Sequence, residues 1–487
     1  MFTAPLDALL MFMVATPAVG WVVYKKGYRR VLGIYASASL LVAAYFLYGL
    51  YEEVAEKGTV LIVGQPPFNP PLGACLQIDM LSVFMAFLPT MIGLFAAVYS
   101  IKYMERDTGL TQYYTLLLGM VAGMTGVAFA GDFFTLFVFW ELMCLTSYAL
   151  VAFRKQRWEP IEAGFKYLIM SAAGSATILL AMSFLYGMTG TVNFASLAAS
   201  LSNATPDGWL YVTLTLIIVG FGIKAAVVPF HTWLPDAHPA APSPISAVLS
   251  GVMIETGVYA LCRVLFVVFS PAQFHWGMVI AVLSVVTMTV GNVMALLQGD
   301  IKRLLAYSSI AQIGYILVGI AAGTELGLTG TTFHIFNHAL MKGLAFLCAG
   351  AFIYRVKTRN LDELSGIGRK MPISTITLSI ALFALAGMPG LNGFMSKFVL
   401  FTAAFPAGMA WLAIAGVLNS TFSVAYYLRL ILLIIRPQPA GRVVAAKEAP
   451  ITMLIPMCVM SAFIVIFGVW PEPVLAFAER AAGCLIN

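Results

Sequence analysis

Residues 220–251 read GFGIKAAVVPFHTWLPDAHPAAPSPISAVLSG. An apolar run leads into Lys224, and Pro229 and Pro235 follow it, so a lysine stands beside helix breakers at membrane depth. Unwound backbone in a bilayer survives only where protein or a water-filled cavity covers it. The same combination recurs at 387–398, GMPGLNGFMSKF, where Gly387, Pro389, Gly390 and Gly393 precede Lys397. Two such broken helices are a pointer to the ion path of a transporter. The whole chain fits that setting. Of its 487 residues 61% are hydrophobic and only 10% are charged, with a mean hydropathy of +0.92, whereas soluble domains run near 45–50% apolar and about 25% charged. That composition excludes a soluble enzyme, a nucleic-acid binder, a disordered scaffold and a disulfide-stapled secreted domain. The six cysteines are scattered without a CxxC pair and read as small packing residues.

Apolar windows of about 19 residues mark some fourteen candidate spans. They run at about 6–24, 31–50, 80–101, 111–130, 133–153, 162–187, 209–233, 242–269, 276–298, 303–322, 329–354, 373–402, 408–435 and 451–470. Residues 51–79 read as a loop. The charges test this count, because a missed span would scramble the sidedness of every later loop. Lys25, Lys26, Arg29 and Arg30 follow the first span, and Lys102 and Arg106 the third. Arg154, Lys155 and Arg157 follow the fifth, Lys302 and Arg303 the ninth. Arg355, Lys357, Arg359, Arg369 and Lys370 follow the eleventh; Arg436, Arg442 and Lys447 follow the thirteenth. These are 19 of the 27 lysines and arginines, all on one side, with Lys57 and Arg480 alone on the other. The expectation is a multi-pass protein of the inner (cytoplasmic) membrane of a prokaryote with both termini outside. No cleavable leader is expected, since the N-terminus lacks a basic stretch and its first apolar run is long enough to span.

Each charge at a span centre costs roughly 2.5–3.5 kcal/mol and needs a reason. Glu141 lies in FVFWELMCLTSYALVAF, Lys224 in the seventh span, Glu255 in GVMIETGVYALCR, His334, His338 and Lys342 in FHIFNHALMKG, and Lys397 in the twelfth span. His334, His338 and Lys342 are spaced i, i+4, i+8 and share one helix face. That face suits a proton relay or hydrated path; a structural histidine pair is the plainer alternative. Metal binding is disfavoured, because Ile335 stands where a metalloprotease has its glutamate. Glu141 is the partner for Lys224 on charge grounds, either as a proton switch, in which a carboxylate approaches and leaves a buried amine, or as a fixed ion pair. His231, beyond the break, is placed to pass protons to or from the cytoplasm, and His238 reads as a loop residue. Glu162 and Lys166 form an interfacial i, i+4 pair, and Arg429 is placed to snorkel.

Four segments, FVFWELMCLTSYALVAF, the opening stretch, GDIKRLLAYSSIAQIGYILVG at 299–319 and GMPGLNGFMSKF, resemble the antiporter-like subunits shared by respiratory complex I, Mrp-type cation/proton antiporters and membrane-bound hydrogenases. The likeness covers most of the chain. It implies an all-α polytopic fold of about fourteen helices with two inverted five-helix repeats, helices 4–8 and 9–13, and with helices 7 and 12 broken. On that basis the chain divides into 1–110, a three-helix segment; 111–270 and 271–436, the repeats; and 437–487, carrying helix 14. The resemblance makes Glu141 and Lys224 the switching pair, Lys397 the lysine leading to the outer exit, and His334 and His338 part of a hydrated central axis. Glu255 departs from the pattern: many relatives have lysine there. It stands to pair with Lys224 or to offer a carboxylate to a cation.

The function expected is proton translocation by a subunit of a redox-driven complex, either a complex I-like dehydrogenase or a membrane-bound hydrogenase. The alternatives are a subunit of an Mrp-type Na+/H+ antiporter and a non-pumping scaffold for a hydrophilic enzyme. The expected partners are further membrane subunits, antiporter-like ones among them, hydrophilic redox subunits, the bilayer, and H+ or, in the antiporter reading, Na+. No cofactor motif is present, so electron transfer would belong to partners.

Overall fold

A bilayer offers backbone N–H and C=O groups no water, so apolar stretches of this length fold as helices that satisfy their own polar groups. The computed structural model describes residues 3–25, 28–58, 61–64, 74–202, 204–437 and 441–486. Chain order begins with α1 (Ala4–Lys25), α2 (Arg30–Lys57), β1 (Leu61–Gly64), β2 (Cys75–Ile78) and α3 (Met80–Tyr103). Then come α4 (Leu110–Phe129), α5 (Phe133–Val151), α6 (Trp158–Thr189), α7 (Phe194–Leu201), α8 (Gly208–Lys224), α9 (Leu234–Ala240), α10 (Ser243–Val248) and α11 (Ile254–Val267). The rest comprises α12 (Pro271–Phe274), α13 (Gly277–Leu296), α14 (Ile301–Ala322), α15 (Glu325–Val356), α16 (Pro372–Ala386), α17 (Asn392–Ala403), α18 (Ala410–Ile434), α19 (Ile451–Val469) and α20 (Glu472–Ile486).

Among the described residues eleven helices are long and apolar enough to cross a membrane, or twelve if the bent pair Asp362–Arg369 and Pro372–Ala386 is one span. The expected fourteen adds α4, α8 and the α16–α17 pair, none of which is among the eleven. Both breaks read from the sequence are present. α8 stops at Lys224, and Ala226 takes a left-handed turn (φ 55°). α16 stops at Ala386, with Gly387 and Gly390 at φ 88° and 86° before α17 starts.

Burial sorts the helices into an inner and an outer set. The most apolar windows of Ser243–Val267 and Ile301–Ala322 are 100% buried, whereas that of Ala4–Lys25 is only 28% buried. Polar side chains on α10, α11, α14 and α15 therefore meet protein rather than lipid. A five-residue π-helical turn, Leu249–Met253, joins α10 to α11 and ends just before Glu255. Such turns shift the helix register and recur at functional sites.

Two expectations change. Residues 51–79 are not simply a loop: α2 runs on to Lys57, and β1 and β2 pair antiparallel from Leu61↔Ile78 to Gly64↔Cys75; residues 65–73 lie outside the described residues, as does Lys26. The segment 437–487 carries two helices. In α20, Val474, Ala478, Ala481, Ala482 and Leu485 are buried on one face while Glu472, Glu479 and Arg480 are exposed, the pattern of a helix packed sideways on the bundle. Its Phe477 meets Phe84 of α3 at 4.9 Å.

Candidate functional site

Lys224 closes the last turn of α8, where helix carbonyls have lost their usual partners. Trp233 Nε1 supplies a replacement by donating to the Ile223 carbonyl at 2.8 Å, and beyond the break the Val228 N–H finds an acceptor in Thr287 Oγ1 at 3.1 Å. Trp233 also stacks on Tyr167, ring centroids 4.1 Å apart and nearly parallel. This fixes the Tyr167 hydroxyl, which accepts from Lys224 Nζ at 2.6 Å; Cys144 Sγ takes a second bond at 3.2 Å. Lys224 is 2% exposed.

Glu141 lies one turn before Cys144 on α5 but is not ion-paired with Lys224. It accepts a hydrogen bond from Ser175 Oγ of α6. It sits half-buried on the stripe of α5 that carries the exposed Phe134, Val138 and Leu145. α5 itself starts on Asp132, whose carboxylate caps it through Thr135 N–H at 2.7 Å.

The central axis is built by α11, α14, α15 and α17. His334, His338 and Lys342 are all fully buried, and the two imidazoles lie 6.3 Å apart with planes 23° from parallel, as the i, i+4 spacing requires. Glu255 hydrogen-bonds His338 Nδ1, so its partner is the eleventh-span histidine and not Lys224. His334 Nδ1 meets Ser396 Oγ at 2.9 Å and its Nε2 meets Gln312 Oε1 at 3.1 Å. Gln312 Nε2 donates to the Leu385 carbonyl at 3.1 Å, and Lys397 Nζ donates to the same oxygen at 2.7 Å. That carbonyl belongs to the last turn of α16, freed by the break, so the break creates the acceptor that Lys397 uses. Ser420 Oγ takes Lys397 Nζ at 3.0 Å. Lys342 Nζ donates to Ser308 Oγ and, at 3.1 Å, to the Leu305 carbonyl. α14 thus presents Leu305, Ser308 and Gln312 on one face to α15 running the other way.

The two groups approach each other at Gly257. An added Cβ there would lie 3.1 Å from Ala225 N and 3.3 Å from Lys224 Cβ, so the absent side chain lets α11, with Glu255, pack against the end of α8. His231 is half-buried with Nδ1 unpartnered, 6.5 Å from the Tyr307 ring. His238, read as a loop residue, is instead fully buried: it stacks on Phe346 at 4.6 Å and leaves both ring nitrogens unpartnered.

Sequence reasoning missed several polar groups. Tyr167 and Gln312 gave no spacing signal, and Cys144 was counted among packing residues. Lys302, assigned to a cytoplasmic loop, is 2% exposed with Nζ on the Ala241 carbonyl at 2.6 Å. Arg263 grips Asp79 with two bonds of 2.5 and 2.9 Å and also reaches Ser82, a fully buried ion pair across 184 residues. The Glu162–Lys166 pair is present at 2.9 Å. Among the described residues no group of three or more His, Cys, Asp or Glu could hold a metal ion.

Residues 130–423 match the family described as NADH:quinone oxidoreductase/Mrp antiporter, TM, and residues 70–114 match the complex I chain 5 N-terminus family. F(420)H(2) dehydrogenase subunit N of Methanosarcina mazei is 36% identical over 467 residues, covering 94% of this chain and 93% of that one. NADH-quinone oxidoreductase subunit N of Desulforudis audaxviator is 35% identical, covering 91% of each. Among solved structures, a chain of the Mrp complex of a Dietzia species superposes with a TM-score of 0.90 at 26% identity, covering 99% and 98%. One of an archaeal membrane-bound sulfane sulfur reductase gives 0.91 at 27%, covering 100% and 98%. One of respiratory complex I of Thermus thermophilus gives 0.78 at 26%, covering 97% and 98%. With more than half of its length matched by one family and relatives above 30% identity along nearly all of it, the chain belongs to the NADH:quinone oxidoreductase/Mrp antiporter transmembrane family.

Proposed function

We propose that this chain moves protons across the membrane as an antiporter-like subunit of a multi-subunit, redox-driven complex. The observation that carries the reading is the line of buried polar groups that runs from Glu255, hydrogen-bonded to His338, across the 6.3 Å step between the His338 and His334 rings, to Gln312 and, through the shared Leu385 carbonyl, to Lys397. Groups that cost this much to bury are retained at mid-membrane in proton paths and not in inert anchors. Relatives named as dehydrogenase and oxidoreductase subunits, at 36% and 35% identity along nearly the whole chain, favour the redox-driven form over the Na+/H+ antiporter.

In this reading Lys224 and Glu141 form the switch, with Tyr167 and Cys144 holding the amine while the carboxylate is engaged elsewhere. Glu255, His338, His334 and Lys342 relay the proton, Lys397 leads to the exit, and His231 serves the basic end. The redox chemistry belongs to partner subunits. The basic end faces the cytoplasm of a prokaryotic cell and both termini lie outside, as the charge distribution favours.

The same reading takes fourteen spans with inverted repeats at 111–270 and 271–436. Matching details support it. Asp132 caps α5 and bridges Asn193, while Asp300 caps α14 and bridges Asn360. Arg154, just after α5, and Lys302, at the start of α14, line one cleft, so the two helices run in opposite directions.

The test is proton pumping by the reconstituted complex carrying Lys224→Ala or Lys397→Ala, followed with a pH-sensitive dye. Losses of about a hundredfold are expected for each, the scale of a lost acid–base group; an assembled variant that still pumps at the wild-type rate refutes the role.

A further inference from the structure

At the basic end of the bundle a cleft of about 640 Å³ opens between the ends of α3, α5 and α15 and the starts of α6, α10 and α14. Six cations line it, Arg106, Arg154, Arg157, Lys302, Lys357 and Arg359, against two carboxylates, Asp107 and Glu159. Both carboxylates are already engaged. Arg154 holds Asp107 with two bonds of 2.9 and 3.0 Å, and Arg359 holds Glu159 at 2.7 Å. Arg106 and Arg157 are exposed and have no carboxylate partner among the described residues, and Lys357 Nζ stands over the Tyr354 ring at 4.9 Å. The fourth surplus cation, Lys302, lies buried in the wall of the cleft. The surplus acts on its members: burial, then the neighbouring Arg106 and Arg154, push the Lys357 amine below its ordinary range.

Charge of one sign gathered in a concave, low-dielectric pocket favours an anion, and basic pockets between transmembrane helices bind phosphate head groups. The surroundings indicate which source of phosphate. Tyr103, Pro160, Pro239 and Ile353 give the cleft apolar walls. From its rim the outer face of α6 continues with Trp158, Ile161, Phe165 and Ile169, all exposed, a track for an acyl chain. An acidic protein segment would satisfy the cations without using that track. We propose that this cleft is a phosphate site that takes the headgroup of an anionic phospholipid, with an acyl chain lying along α6.

The proposal is independent of the proton path and is tested apart from it. The purified complex, stripped of lipid in detergent, is titrated with phosphatidylglycerol, with phosphatidylcholine and with inorganic phosphate, and bound lipid is counted by native mass spectrometry. Phosphatidylglycerol is expected to bind in preference to phosphatidylcholine. The Arg157→Gln/Lys357→Gln double variant should weaken it about tenfold or more, at unchanged melting temperature. The control pair Arg29→Gln/Arg436→Gln, at the same end but outside the cleft, should leave it unaltered. Phosphatidylglycerol binding that ignores the cleft substitutions, or that falls equally in the control, overturns the site. Inorganic phosphate bound in the lipid's place, and lost in the double variant, makes the ligand soluble phosphate and overturns the lipid. Binding that appears only after partner subunits are removed assigns the cleft to a partner's acidic segment instead.

Discussion

Lys224 and Lys397 stand in the same kind of place and in different company. Each is buried beside a helix break, and each holds its ammonium over a tyrosine ring, 4.9 Å from Tyr167 in one case and 4.8 Å from Tyr315 in the other. Lys224 ends its helix, bonds a phenol and a thiol, and has Glu141 one turn along α5 from that thiol. Lys397 lies beyond its break and bonds a freed backbone carbonyl and a serine, with no carboxylate among its hydrogen-bond partners. An amine with a carboxylate near by can be switched by that carboxylate; one held by neutral acceptors answers to what arrives along the axis. In the proposed reading, Lys224 belongs to the control element and Lys397 to the outlet.

The breaks themselves offer the largest structural contrast. At Gly393 an added Cβ would overlap the Ala384 carbonyl, whereas at Gly222 the nearest atom stands at an ordinary 3.7 Å. Gly393→Ala is expected to cost about 1–3 kcal/mol, as overpacking does, and Gly222→Ala little, in thermal unfolding of the purified protein. Equal costs would mean that the two breaks are built alike.

The amine partners come next. Tyr167→Phe removes the hydroxyl on Lys224 and should cost about 1 kcal/mol, with slower pumping. Ser420→Ala should do less, because the Leu385 carbonyl still holds Lys397. If Ser420→Ala proved the more damaging, the distinction between the two lysines would fail.

The smallest effect lies outside the membrane. Lys102 and Arg30 pair with Glu105 and hold its carboxyl below the ordinary range. A lowered folded-state value stabilises above the unfolded one, about pH 4.3, and is lost as pH falls through the folded one. Glu105→Gln should therefore cost about 0.5 kcal/mol at pH 7, as a surface pair does, and progressively less as the pH falls below about 4.3. It should leave pumping intact, in contrast to either lysine.

Local chemistry made much of this legible. An apolar run followed by prolines announced the break after Lys224, and the i, i+4, i+8 spacing placed His334, His338 and Lys342 on one face. What stayed hidden was pairing across distance. Glu255 finds His338 83 residues away, and Arg263 finds Asp79 only through the packing of α3 against its neighbours. Lys302 looked like a topology charge because it sits next to Arg303, yet packing against Ala241 buries it. α20 was overlooked because its apolar face follows helical periodicity without being long enough to register as a span. The expectation of two inverted repeats came from family resemblance; composition and spacing alone did not suggest it.

In the proposed function protons travel along the Glu255–His338–His334–Gln312–Lys397 line. The most direct measurement is redox-driven pumping by the reconstituted complex carrying Glu255→Gln, which keeps the shape of the His338 contact and removes the carboxyl that can take up and release a proton. The expected result is an assembled complex whose proton transfer falls at least about tenfold. Pumping at the wild-type rate in that assembled variant would contradict it.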